Sequence, residues 1–201
     1  MVTPKSGFWV GSWKSGIETI ICAVLAASII QICRTPDEVP PPPDKTVLVE
    51  KPMIPMALNH AMIEPTPQKI TIPEEMANNY LRSTLKPKST GLIDNELKFL
   101  RALVRFREGA CQFTTEQSVY DFPLYARVAY RLTIADNKVN AICIAGSLGR
   151  LPVHPFLMKY ADLAFQNLWD ALEREHKLLD QMFSIEMHEG SIVLVTKPKR
   201  L

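Results

Sequence analysis

Residues 125–145 read YARVAYRLTIADNKVNAICIA, and the alternation in this stretch decides the class of fold. Val128, Tyr130, Leu132 and Ile134 fall on one side of an extended chain, and Arg127, Ala129, Arg131 and Thr133 on the other. That two-residue period is the mark of a half-buried strand. Asp136 and Asn137 supply a tight turn, and residues 138–145 return as a second strand. The stretch therefore predicts an antiparallel hairpin.

Working outward, Gly146, Gly149 and Pro152 break the pattern, and Pro155 opens a long amphipathic helix in a position that suits proline. Leu157, Tyr160, Ala164, Leu168, Ala171 or Leu172, Leu178 or Leu179, and Met182 keep helical spacing along it. Residues 183–187 and 191–196 read as strands on either side of His188, Glu189 and Gly190. Upstream, residues 92–107 read as a helix, with Asp94 as N-cap and Ile93, Leu97, Leu100 and Val104 as an apolar stripe. Lys98, Arg101 and Arg105 recur at intervals of three and four and form a basic face, with Arg107 beside it. That face suits acidic lipid or an acidic protein partner; the ordinary alternative is a solvated helix surface. The expected fold is α+β: a small C-terminal domain, residues 76–201, in which a long helix packs on an antiparallel sheet.

A different chemistry governs the N-terminal part. Residues 17–33, IETIICAVLAASIIQIC, carry one charge, Glu18, and are preceded by Phe8, Trp9 and Trp13. An apolar run of this kind with aromatics at its mouth predicts a transmembrane anchor in contact with membrane lipid. A cleavable signal peptide is the competing reading, with Ala26, Ala27 and Ser28 as the small residues near a cleavage point. Lys5 and Lys14 precede the run, and Arg34 follows it, with Asp37, Glu38 and Asp44 after that. The positive-inside tendency then places residues 1–16 in the cytoplasm and the C-terminal domain outside it. In a two-membrane bacterium this is an inner-membrane protein with a periplasmic domain. Residues 34–75 hold ten of the sixteen prolines and predict an extended, helix-free spacer that holds the domain off the bilayer. Within it, Lys69 to Ile72 and the apolar Met53, Ile54, Met56, Leu58, Met62 and Ile63 either bind a partner or pack back on the domain.

Taken together, the short tail, single anchor, proline-rich spacer and small α+β end domain resemble the TonB and TolA group of envelope-spanning proteins. The residues that carry the local likeness to a TonB-type end domain are 126–134, the turn at Asp136 and Asn137, residues 139–144, and the later helix with Ala164, Leu168 and Trp169. The resemblance implies a non-enzymatic part in coupling inner-membrane energy to outer-membrane transport. The anchor has no histidine of the kind that coupling to a proton-driven motor calls for, and the helix runs on past Trp169.

Site chemistry is sparse. Cys111 and Cys143 are the only cysteines outside the anchor, and either pair in a disulfide or stay as two thiols. His60, His154, His176 and His188 have no ligand spacing, so no metal and no cofactor is expected. Gly146, Ser147 and Gly149 mimic a nucleophile elbow, but Pro152 forbids the helix that must follow at once. A formal net charge of +2 gives no footprint for nucleic acid, and no small-molecule substrate suggests itself. The sequence thus predicts a non-catalytic, membrane-anchored structural component of an envelope-spanning assembly, such as a secretion or conjugation apparatus, with other subunits as partners. TonB/TolA-like coupling is the alternative.

Overall fold

The computed structural model describes residues 8–41, 53–85, 97–120, 122–135, 138–154, 165 and 171–198. The first element, α1 (Phe8–Cys33), contains the one helix, among the described residues, long and apolar enough to cross a membrane. Its span Trp13–Cys33 has 21 residues and a mean hydropathy of 2.0, and none of the residues in its most apolar stretch is buried against the rest of the chain. At about 1.5 Å per residue it matches a hydrocarbon core of about 30 Å. The hydroxyls of Thr19 and Ser28 donate to the carbonyls of Ser15 and Val24, each at 2.8 Å, so these polar groups are satisfied within the helix.

Two antiparallel sheets form the folded part. The larger contains β2 (Leu97–Arg107), β3 (Ala110–Val119), β4 (Phe122–Ala135), β5 (Lys138–Leu148) and the short β6 (Leu151–Pro152), in chain order. The smaller has the order β1 (Lys69–Pro73), β8 (Ser191–Thr196), β7 (Met182–His188). Among the described residues three more helices accompany them: α2 (Ile54–Ile63), α3 (Glu74–Thr84) and α4 (Glu173–Leu179). The hairpin at 125–145 forms as expected and extends beyond it, with Ala135 opposite Lys138 across a two-residue connection. The strands expected at 183–187 and 191–196 also form, in β7 and β8.

One face of the larger sheet makes the core. Ala102, Val104, Phe106, Cys111 and Val128 are buried on it, and Ile72, Met187, Ile192 and Leu194 approach from the smaller sheet. Met182 and Leu194 are almost wholly enclosed, and burying a side chain of that kind is worth about 1.5–3 kcal/mol. Phe113 and Tyr130 meet edge to face at 6.3 Å on the same side. Leu172 and Leu178 seal this core from the α4 side, and Phe165 packs on Val128.

The outer edge of β2 would be a row of free backbone groups, and α3 covers it. The Asn78 amide donates to the Val104 carbonyl at 2.9 Å, and its oxygen accepts the Val104 N–H at 2.7 Å. Glu74 accepts the Phe106 N–H at 2.9 Å. A side-chain amide thus imitates a neighbouring strand, which closes an edge that would otherwise template association.

Three expectations need correction. The helix expected at 92–107 is, from Leu97 onward, strand β2, because Ala102, Val104 and Phe106 alternate into the core against Arg101, Leu103, Arg105 and Arg107. The helix-free spacer contains α2, whose Pro55 lies in the first turn, where the missing N–H costs nothing. Its Lys69–Pro73 piece packs back on the domain as β1. The long helix expected to cover the sheet from Pro155 lies largely outside the described residues; the part described is α4, and Met182 already belongs to β7.

Candidate functional site

The opposite face of the larger sheet is lined with arginine. Strand periodicity turns Arg101, Arg105 and Arg107 of β2 to this face, and the register places Arg127 of β4 beside them, opposite Thr114. A bulge between Phe99 and Arg101 absorbs one residue, so Lys98, opposite Ser118, shares the face with Arg101, opposite Glu116. Lys98, Arg101 and Arg105, expected on one side of a helix, are therefore on one side of a strand. Lys98 is exposed and makes no ion pair among the described residues; Arg101 and Arg105 are engaged.

What engages them is the chain that leaves α1. Residues 34–41 lie on the arginine face, so this part of the expected spacer does not separate α1 from the domain. Glu38 reaches Arg105 at 3.0 Å, Arg107 at 3.3 Å and Arg127 at 3.8 Å. Arg101 donates to the carbonyls of Pro40 at 2.8 Å and Pro41 at 3.4 Å, while its Nε contacts Glu116 at 2.5 Å. Proline-rich backbone leaves its carbonyls without internal partners, which makes them available acceptors. Arg150 pairs with Asp37 and donates to the Thr35 carbonyl at 2.9 Å.

The last turn of α1 docks as well. The Arg150 N–H donates to the Gln31 carbonyl at 2.9 Å, satisfying one of the helix's orphan C-terminal acceptors. Gly149 has φ +54°, and a Cβ there would collide with the carbonyls of Gln31 and Ile32. Glycine is required for both reasons.

Arg127 is the least satisfied group of the site. Its Nε and Nη2 are buried without a hydrogen-bond partner among the described residues. Burial pulls its pKa down from the usual arginine range, Glu38 opposes that shift, and the neighbouring Arg105 and Arg107 add to it. A cleft of about 40 Å³ opens here between Glu38, Glu74, Arg105, Gln112, Thr114 and Arg127. That is room for a few waters or a carboxylate.

The other candidates are not brought to this site. Cys111 and Cys143 are not joined in a disulfide. Both stand opposite Tyr130, one on β3 and the other on β5, so their Cα atoms are two strand spacings apart, about 9–10 Å. A disulfide needs less than about 7 Å. Burial pushes the Cys111 thiol up to about 12. Ser147 sits within β5 opposite Arg127 and not at a strand-to-helix turn. His188 lies near Glu108 and Glu186 at 3.5 and 3.7 Å, all three well exposed, and no group of three or more metal-ligating side chains occurs among the described residues. Sequence reasoning missed Arg127, Glu38 and Arg150 as members of the site; the alternation of 125–134 was the signal for Arg127, and the other two have none. No family model, curated protein or solved structure matches the chain.

Proposed function

We propose that this chain is a non-catalytic, membrane-anchored component of an envelope-spanning assembly, such as a secretion or conjugation apparatus, with its domain on the periplasmic side of the inner membrane. In this reading its arginine face receives an acidic segment of another subunit. The observation that carries the reading is Arg127. Among the described residues its nearest carboxylate oxygen is 3.8 Å away and two of its donors are buried without partners, beside a cleft with room for a carboxylate. A buried guanidinium in that state gains from a further acceptor, since charge-assisted pairs are the stronger hydrogen bonds. TonB/TolA-like coupling is supported less well, because the chain leaving the anchor lies on its own sheet instead of reaching outward.

The test is quantitative co-purification from detergent-extracted membranes, with wild type and Arg105→Gln/Arg127→Gln compared subunit by subunit. Neutral replacements keep the side-chain length and remove the charge. The expected result is loss of at least one co-purifying subunit while the melting of the domain is retained. An unchanged set of subunits would sink the reading.

A further inference from the structure

The chain that leaves α1 is held on the arginine face by side chains alone. Among the described residues, no backbone hydrogen bond joins residues 35–41 to a strand, and their one internal bond runs from the Val39 N–H to the Pro36 carbonyl at 3.3 Å. Only Pro36 of this strap is buried. The Glu38 side chain is 44% exposed and that of Asp37 77%. Ion pairs this open to water hold weakly, because solvent screens them and ordering two long side chains costs entropy. The strap is thus weakly fastened to the sheet.

It is also an imperfect fit. Glu38 serves Arg105, Arg107 and Arg127 at once, and at 3.8 Å from Arg127 it is beyond hydrogen-bond distance. Val39 and Pro40 wall the cleft beside Arg127, whose buried Nε and Nη2 lack partners among the described residues. A carboxylate entering that cleft would meet Glu38 and Glu74 as well as the arginines, and two like charges at close range oppose a third. With Glu38 gone, the same carboxylate restores the balance of charge and can bond Arg127 directly. The strap also shows what fits the face: a carboxylate, followed two and three residues on by proline carbonyls that accept from Arg101. We infer that residues 35–41 are a self-ligand, which an extended, acidic, proline-rich segment of a partner displaces to reach Arg127. This inference rests on the partner reading of the arginine face and adds that the face is closed in the free chain.

The probe is a fluorescent peptide copying residues 35–41, with a second peptide in which both acids are amides. Binding to the full chain in detergent is read by fluorescence anisotropy. An attached strap competes at an effective concentration of about a millimolar, so weakening it raises the affinity for the free copy. Glu38→Gln removes the strap's central charge. Pro36→Gly removes its buried ring and leaves every charge in place. Both variants are expected to bind the acidic peptide roughly five-fold or more tighter than wild type, a gain that misfolding cannot produce. Arg105→Gln/Arg127→Gln is expected to lose the peptide, and the amide peptide to bind none of the forms. Tightening by Glu38→Gln alone overturns the inference, since the peptide would then sit beside an undisplaced strap and feel only its charge. Equal affinity for wild type and both strap variants overturns it too. Either result leaves the partner reading of the face standing. Absence of binding to every form, or binding that survives the amides or Arg105→Gln/Arg127→Gln, refutes the partner reading and the inference with it.

Discussion

Replacing Asn78 by alanine probes how the domain keeps its sheet closed. The substitution removes two hydrogen bonds, of 2.9 and 2.7 Å, from the backbone of Val104, a residue only 4% exposed. A buried backbone group left without a partner costs about 1–3 kcal/mol, and two such groups with some water entry cost about 2–4 kcal/mol together. For a domain of this size each kcal/mol moves the melting temperature by about 2–4 °C, so the loss is about 4–16 °C. The assay is thermal melting of the full chain in detergent with Trp9 and Trp13 replaced by phenylalanine, so that near-ultraviolet circular dichroism reports mainly the domain. Asn79→Ala, one residue along the same helix and half-buried, is the control and is expected to cost less than about 0.5 kcal/mol. Asn78→Ala melting within a degree or two of wild type would mean that the β2 edge is not held by this amide. An Asn78→Ala variant that melts normally but self-associates would place the amide's role in protecting the edge.

Two further outcomes follow from the same geometry. Maleimide labelling of native protein at pH 8 is expected to reach Cys143 before Cys111, whose thiol is buried and raised to about 12 and so is almost never thiolate. Because that folded pKa lies above the ordinary thiol value of about 9, this thiol leaves stability unchanged with pH below about 9 and lowers it as pH rises from there towards 12; two blocked thiols in denatured, unreduced protein would instead reveal a bond. Gly149→Ala forces a Cβ onto the end of α1 at a left-handed φ, which alone costs about 1–2 kcal/mol, and is expected to free residues 34–41. Trypsin should then cut after the exposed Arg34 faster than in wild type, and an unchanged rate would show that the turn does not hold the helix end.

How much of this was legible depended on whether one period or two fitted the residues. The hairpin at 125–145 carried both an alternating pattern and a two-residue turn, and β7 and β8 flanked Gly190 in the same way. At 92–107 two periods coexisted. Leu97, Leu100 and Val104 fit a helix, and the leucine, lysine and arginine around them favour one. Ala102, Val104 and Phe106 fit a strand, and the bulge at Phe99 and Arg101 shifted the phase enough to blur it. Pairing with β3 decided the outcome, since strand preference is mostly tertiary. The basic face survived that error because the interval of four from Arg101 to Arg105 is even, and the bulge makes the interval of three from Lys98 to Arg101 behave as an even one. Glu38 had no local signal at all: its role follows from where α1 ends, and that is set by a glycine more than a hundred residues later.

The small sheet has a temporal consequence. Its middle strand is β8, near the very end of the chain, and the strand that leans on one side of it, β1, is made before the whole of the larger sheet. Until residues 191–196 emerge, Lys69–Pro73 has nothing to pair with, and Ile72 has no Ile192 opposite it. Long-range closure of this kind is slow, because the loop must be drawn together before any contact repays it. The smaller sheet therefore stays open while the whole of the larger sheet is delivered. Its last strand acts as the latch.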